Sequence, residues 1–174
     1  MSKKSKDSIA CSMLMLLKTN EFNQITIQEI CSYAKVVRKT FYNNFSSKEA
    51  VIEYMIDCLI EEYVLSLKSV LINDPKRMGY VYFDFWIHHQ EFLSVIVNNN
   101  LFYLMQRKYY QYLPMVADLL KENKLDKAKK SSIHYVYTFY SSGLTSILEQ
   151  WIQSGFQKSV SEMSEIFDLI AKGI

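Results

Sequence analysis

Glycine and proline are scarce in this sequence, with four and two among 174 residues. Turn-rich sheet architectures need such residues at their reversals. With so few, and with apolar positions recurring at helical spacing along most of the chain, an all-α fold is expected. Cysteine is sparse as well. Cys11, Cys31 and Cys58 are an odd number without CxxC or Cys/His spacing, which argues against a disulfide framework and for reduced thiols. The three histidines, His88, His89 and His134, have no carboxylate or thiol at ligand spacing, so no metal site is expected. A glycine-rich phosphate loop and a nucleophile–base pattern are both missing. Neither a cofactor nor an enzymatic activity is expected. No apolar run is long enough to cross a bilayer. Lys3, Lys4 and Lys6 precede the apolar run 9–17, but Asp7 interrupts them and Lys18 follows without a small-residue cleavage site. A cytoplasmic protein without a membrane partner is expected.

What is present is ordinary in bulk and uneven in distribution. Hydrophobic residues make up 49% and charged residues 22%, values typical of a globular chain able to bury one good core, or a small module fused to a larger one. The net charge of +2 divides sharply. Residues 1–49 carry eight Lys/Arg against four Asp/Glu, a net of +4, and residues 50–174 carry twelve against fourteen, a net of −2. A basic head on a near-neutral body suits contact with a polyanion.

Nine helices are expected. The first covers about residues 6–19, with Ile9, Met13, Leu16 and Leu17 on one face. Thr26-Ile27-Gln28-Glu29 reads as a capping box opening a short helix to Ala34. A second short helix spans about residues 37–45. Ser46-Ser47-Lys48-Glu49 reads as another box, opening a long helix to about Ile72. Asp74-Pro75 pairs an N-cap with proline at the first helical position. Helices over about 75–89, a short one to 97, and 100–121 follow, the last with a kink or break at Pro114. The charged stretch 121–130 reads as a connection into a helix over about 126–153. Ser159-Val160-Ser161-Glu162 caps the final helix, to about Lys172.

Three short helices followed by a long one, with the second and third joined at Lys35-Val36, describe a helix-turn-helix. On the next helix Arg38, Lys39, Thr40, Tyr42 and Asn43 cluster. These types cover direct readout: Arg to guanine, Asn to adenine, the Thr methyl to thymine, Lys and Tyr to phosphate. Phe41 and Phe45, four apart on another face, read as core. A lysine in the first turn of a helix opposes the macrodipole, so Lys48 is unfavourable there until an anion joins it at the free N–H groups.

The segment TIQEICSYAKVVRKTFYNNFSSKE, residues 26–49, resembles the signature of the TetR family of transcriptional regulators. Thr26, the polar pair Gln28-Glu29, Thr40-Phe41-Tyr42, Phe45 and Ser47-Lys48-Glu49 match in register, and the likeness covers about residues 5–65. It implies a recognition helix over residues 37–44 with Tyr42 and Lys48 on phosphates. The DNA-facing set is then Thr26, Gln28, Val37, Arg38, Lys39, Thr40, Tyr42, Asn43 and Lys48. Two positions depart from the family: Lys35 stands where glycine is usual in the turn, and Val37 stands where Ser or Thr often caps the recognition helix.

The remaining chain holds 20 of the 25 aromatic residues. TetR regulators carry an effector cavity in this region, and tyrosine hydroxyls among aromatic faces suit a partly apolar ligand; an aromatic core is the plainer account. Ile133, Tyr137, Tyr140, Leu144, Ile147 and Trp151, then Val160, Met163, Phe167 and Ile170, alternate at spacings of four and three, the seam of a bundle. Ser142, Gly143 and Ser146 add a small patch. The resemblance implies a dimeric four-helix bundle here, with Tyr140, Gly143, Leu144, Ile147, Trp151, Met163, Phe167 and Ile170 at the interface; an intramolecular core is the alternative. The stretch YSSGLTSILEQWIQSG also looks like the C-terminal domain of regulators of dihydroxyacetone kinase operons.

The sequence therefore predicts a helix-turn-helix DNA-binding domain over residues 1–47 and an effector-binding and dimerisation domain over 48–174. The expected function is that of a repressor, a homodimer binding a palindromic operator in double-stranded DNA and released by a small-molecule effector. The alternative is a TetR-fold ligand-binding or protein-interaction module that no longer binds DNA.

Overall fold

The computed structural model describes residues 3–68, 74–119 and 132–173. Among these residues it contains nine helices and no strand: α1 Lys3–Leu17, α2 Ile27–Tyr33, α3 Arg38–Asn44, α4 Lys48–Lys68, α5 Pro75–His88, α6 Gln90–Asn98, α7 Phe102–Leu119, α8 Ile133–Gln153 and α9 Val160–Lys172. The all-α expectation holds. The expected continuation of the fourth helix to Ile72, the charged connection at 121–130 and the start of the eighth helix near Asp126 lie outside the described residues.

Local chemistry accounts for most of the boundaries. Thr26 Oγ1 accepts from the Glu29 N–H while Glu29 Oε2 accepts from the Thr26 N–H at 2.8 Å, a reciprocal capping box. Ser159 and Glu162 repeat the arrangement at the start of α9. Asp74 Oδ1 accepts from the Arg77 N–H at 2.7 Å, with Pro75 beginning α5. The box expected from Ser46 to Glu49 is not the cap of α4. The helix begins at Lys48, so Ser47 is the capping residue and its Oγ accepts from the Ala50 N–H at 3.2 Å. Of the kink or break expected at Pro114, the break does not occur, and α7 continues through it to Leu119. Proline there removes one backbone hydrogen bond, while Tyr112 and Val116 on either side still pack against the core.

Helices α1, α2 and α3 pack with the first turns of α4 into a small head around Ile9, Met13, Ile30, Phe41, Val51 and Ile52, all fully buried or nearly so. The remaining helices form the body: α4 packs on α7, α7 on α8, and α5 on α9. The α5–α9 contact is unusually close. A Cβ added at Gly79 would come within 2.7 Å of the Phe167 Cβ, so only glycine fits there without a shift of backbone. Aromatic edges fill the body's interior, with Tyr82, Trp86, Phe83 and Trp151 among its largest buried side chains.

Candidate nucleic-acid interface

The turn between α2 and α3 follows a specific hydrogen-bond pattern. The Val36 N–H donates to the Cys31 carbonyl at 3.0 Å and the Lys35 N–H donates to the Ser32 carbonyl at 3.2 Å. This is a Schellman motif, and it requires the residue after the cap to be left-handed. Lys35 adopts that conformation, with φ of +53°. A lysine thus does what glycine does more cheaply. Ser8 Oγ on α1 donates to the Ala34 carbonyl at 3.1 Å and ties the turn down.

From this turn α3 projects with two distinct faces. Phe41 and Phe45 are buried, their rings 6.0 Å apart, and Phe45 meets Tyr54 of α4 edge-on at 5.6 Å. On the outer side Val37, Arg38, Lys39, Tyr42 and Asn43 are exposed, and Thr40 is half-buried. Val37 precedes the helix without a side-chain cap. Gln28 and Thr26, at the start of α2, are exposed as well. The turn geometry brings these side chains to one end of the molecule, because the core grips Phe41 and Phe45 from behind.

Lys48 occupies a more constrained place. Its ammonium donates to the carbonyls of Phe22 and Ile25, both at 2.7 Å, and lies 4.5 Å from the centre of the Phe22 ring. It therefore closes the loop between α1 and α2 against the start of α4. The Phe22 N–H in turn donates to Asn99 Oδ1 of the body at 2.8 Å. Nearby, the Tyr54 hydroxyl donates to Asp7 Oδ1 at 2.6 Å, and that bond, ahead of burial, pushes the phenol well above its usual range. These links join residues 23 to 77 positions apart, and no local pattern in the sequence signals them.

Regulatory proteins have known relatives of this construction, and two family matches decide the assignment. Residues 14–55 match the bacterial regulatory proteins of the tetR family, and residues 73–173 match a transcriptional regulator C-terminal region. The chain belongs to the TetR family of transcriptional regulators. Among similar TetR proteins, the HTH-type dhaKLM operon transcriptional activator DhaS of Lactococcus lactis subsp. lactis (strain IL1403) is 26% identical over 73% of this chain and 64% of its own length. The uncharacterized HTH-type regulator YxbF of Bacillus subtilis (strain 168) is 24% identical over 62% of this chain. The chain spans less than two thirds of either relative, and only 30% of YxbF. In fold, it superposes on Lin0861 from Listeria innocua with a TM-score of 0.81 at 16% identity, covering 98% of this chain and 90% of that one. A structure of the dihydroxyacetone kinase operon activator DhaS gives 0.62 at 18% identity, covering 97% and 95%.

The eight residues expected at a TetR dimer interface fall into two groups. Tyr140 (50% exposed), Ile170 (42%) and Gly143, which has open space where a Cβ would stand, face outward. Leu144 and Ile147 are half-buried. Trp151 and Met163 are buried within their own chain, Trp151 against Phe83 and Phe156 with its indole N–H donating to the Lys158 carbonyl. Phe167 packs on Gly79. The outward group continues along α8 to residues the seam pattern missed: Tyr135, Val136 and Phe139, the last 71% exposed, with Leu169 beside Ile170 on α9. No described helix is long and apolar enough to cross a membrane.

Proposed function

We propose that this chain is a cytoplasmic homodimeric repressor that reads a palindromic operator through residues 1–47 and releases it when residues 48–174 bind a small molecule. The observation that carries the reading is the outer face of α3, where Arg38, Lys39, Tyr42 and Asn43 stand exposed together while Phe41 and Phe45 anchor the helix. The face suits base edges and phosphates at once. Its register on the family motif supports the extension to Thr26, Gln28, Val37, Thr40 and Lys48. Two heads on one palindrome require a two-fold assembly. The exposed apolar stripe on α8, continued by Leu169 and Ile170 on α9, supports a dimer face there, since soluble monomers rarely leave such a patch open.

Two observations favour other readings. The relative DhaS is described as an activator, which favours positive control. The engagement of Lys48 with two carbonyls of its own chain favours a module that has given up part of its DNA contact. A gel-shift with DNA from the protein's own promoter region separates the second from the first. Salt-dependent retardation of one segment supports the regulator, and no retardation of any segment supports the module. A transcription assay on the retarded segment then gives the sign of control.

A further inference from the structure

Among the described residues of the head, only Lys35 has a left-handed backbone, with φ of +53°. The turn needs that conformation but does not need a lysine, since glycine makes the same hydrogen bonds with less strain. The apolar contact that accompanies such a turn comes from the next residue, Val36, which packs against the core. The Lys35 side chain is exposed. Among the described residues its ammonium makes no ion pair and no ring contact. Strain kept without a return inside the molecule points to a contact outside it.

A second cation stands beside the turn. Ser8 Oγ on α1 donates to the Ala34 carbonyl at 3.1 Å, so this face of α1 lies against the residue that precedes Lys35. Lys4 comes four residues before Ser8 and therefore sits on the same face, about 6 Å nearer the start of the helix. It too is exposed and without an ion pair among the described residues. The carboxylate of that stretch, Asp7, is engaged by the Tyr54 hydroxyl at 2.6 Å. On the far side of the turn, Arg38 and Lys39 open α3 and are exposed. Positive charge from three elements thus gathers around one turn.

Like charges gathered in one place repel, and an anion among them relieves this. Lysine ammonium groups are mobile, strongly hydrated point charges. They suit a phosphate of the nucleic-acid backbone better than a base edge, which asks for planar, two-pronged donors. We propose that Lys4 and Lys35 hold a backbone phosphate of the DNA that α3 reads, so that the turn of the helix-turn-helix is itself a phosphate-binding element. The strain at Lys35 is retained because it sets an ammonium there. This rests on the DNA-binding reading above and adds to it a contact made outside both helices of the motif.

The test uses the full chain and the promoter segment that it retards, with affinity followed by fluorescence anisotropy over a salt titration. Lys35→Gly should melt at or above the wild-type temperature and yet bind roughly 5–10-fold more weakly at about 0.1 M salt, with the salt slope lowered by about 1. Misfolding cannot produce that combination. Lys4→Ala should give the same loss, the double variant a slope lowered by about 2, and all of them alike for every operator variant. Lys35→Arg keeps the charge and should bind as the wild type does. An unchanged slope in Lys35→Gly or in Lys4→Ala overturns the proposal. A loss shared by Lys35→Arg overturns it too, because the shape of the turn and not its charge would then be at work. A lower melting point for Lys35→Gly does the same, since Lys35 would then serve its own fold. The two readings fail differently. A wild type that retards no segment removes DNA binding and this contact together, whereas a wild type that binds no better than its variants removes this contact alone.

Discussion

The Phe22 backbone is held from two sides, by Lys48 on its carbonyl at 2.7 Å and by Asn99 on its N–H at 2.8 Å. Lys48 begins the long helix and Asn99 ends α6, so one loop residue in the head is fastened both to its own scaffold and to the body. Asn99→Ala leaves the buried N–H without its acceptor. The expected cost is about 1–3 kcal/mol, read by urea denaturation, with faster hydrogen exchange at the Phe22 amide. Unchanged exchange there would show that the bond does not form in solution.

Lys48→Ala should act twice. An ammonium has three donors; two are spent on carbonyls and one is left for a phosphate. Removing it should lower stability by about 1–3 kcal/mol and lower the salt slope of DNA binding by about 1, alike for every sequence. A stability loss with an unchanged slope confines Lys48 to holding the loop.

Arg38→Ala should leave stability untouched, because the side chain is exposed and outside the core. In a binding assay over operator variants it should cost about 1–3 kcal/mol at one base position and relax the preference there. Uniform weakening across all variants makes Arg38 a backbone contact.

Lys35→Gly relieves a side chain held at φ of +53°. Stability should rise by about 0.5–1 kcal/mol, less than the full left-handed penalty because glycine is also freer in the unfolded chain. A fall in the urea midpoint would mean that the Lys35 side chain contributes contacts of its own.

Phe139→Glu and Gly143→Leu probe the α8 face. Neither position is packed within the chain, since Phe139 is largely exposed and Gly143 has open space around it, so both variants should fold. Both should show a reduced dimer mass by light scattering and weaker operator binding. Dimers of unchanged stability would move the interface off this stripe.

Where an element obeys local rules, the sequence already announces it. Thr26 with Glu29, Asp74 with Pro75, and Ser159 with Glu162 all cap where their spacing says they should, because the bonded atoms lie within one turn. Phe41 and Phe45 are buried together because a four-residue spacing puts them on one face. Ser46 fails because two adjacent serines are equally able to cap, and Ser47 is the one whose Oγ accepts from the Ala50 N–H. The seam on α8 and α9 shows a larger ambiguity. A four-three repeat says that a helix buries a stripe and not whose helix covers it. Trp151 and Met163 turn inward to their own chain, while Phe139, off the stripe, is left outside. Gly79 carries no pattern at all, since the partner that makes glycine necessary is 88 residues away.

That missing methyl at Gly79 has mechanical meaning. Where two helices touch through a glycine and the Phe167 side chain, only one layer of side chains remains between them to deform. Displacement of α5 therefore passes into α9 with less absorbed than across two interleaved layers. Tyr82, Phe85 and Trp86 ride on α5, and Leu169 and Ile170 ride on α9. Anything that pries at the first three shifts the last two in step, so the interior of the body and its outer rim work as the two ends of a single stiff linkage.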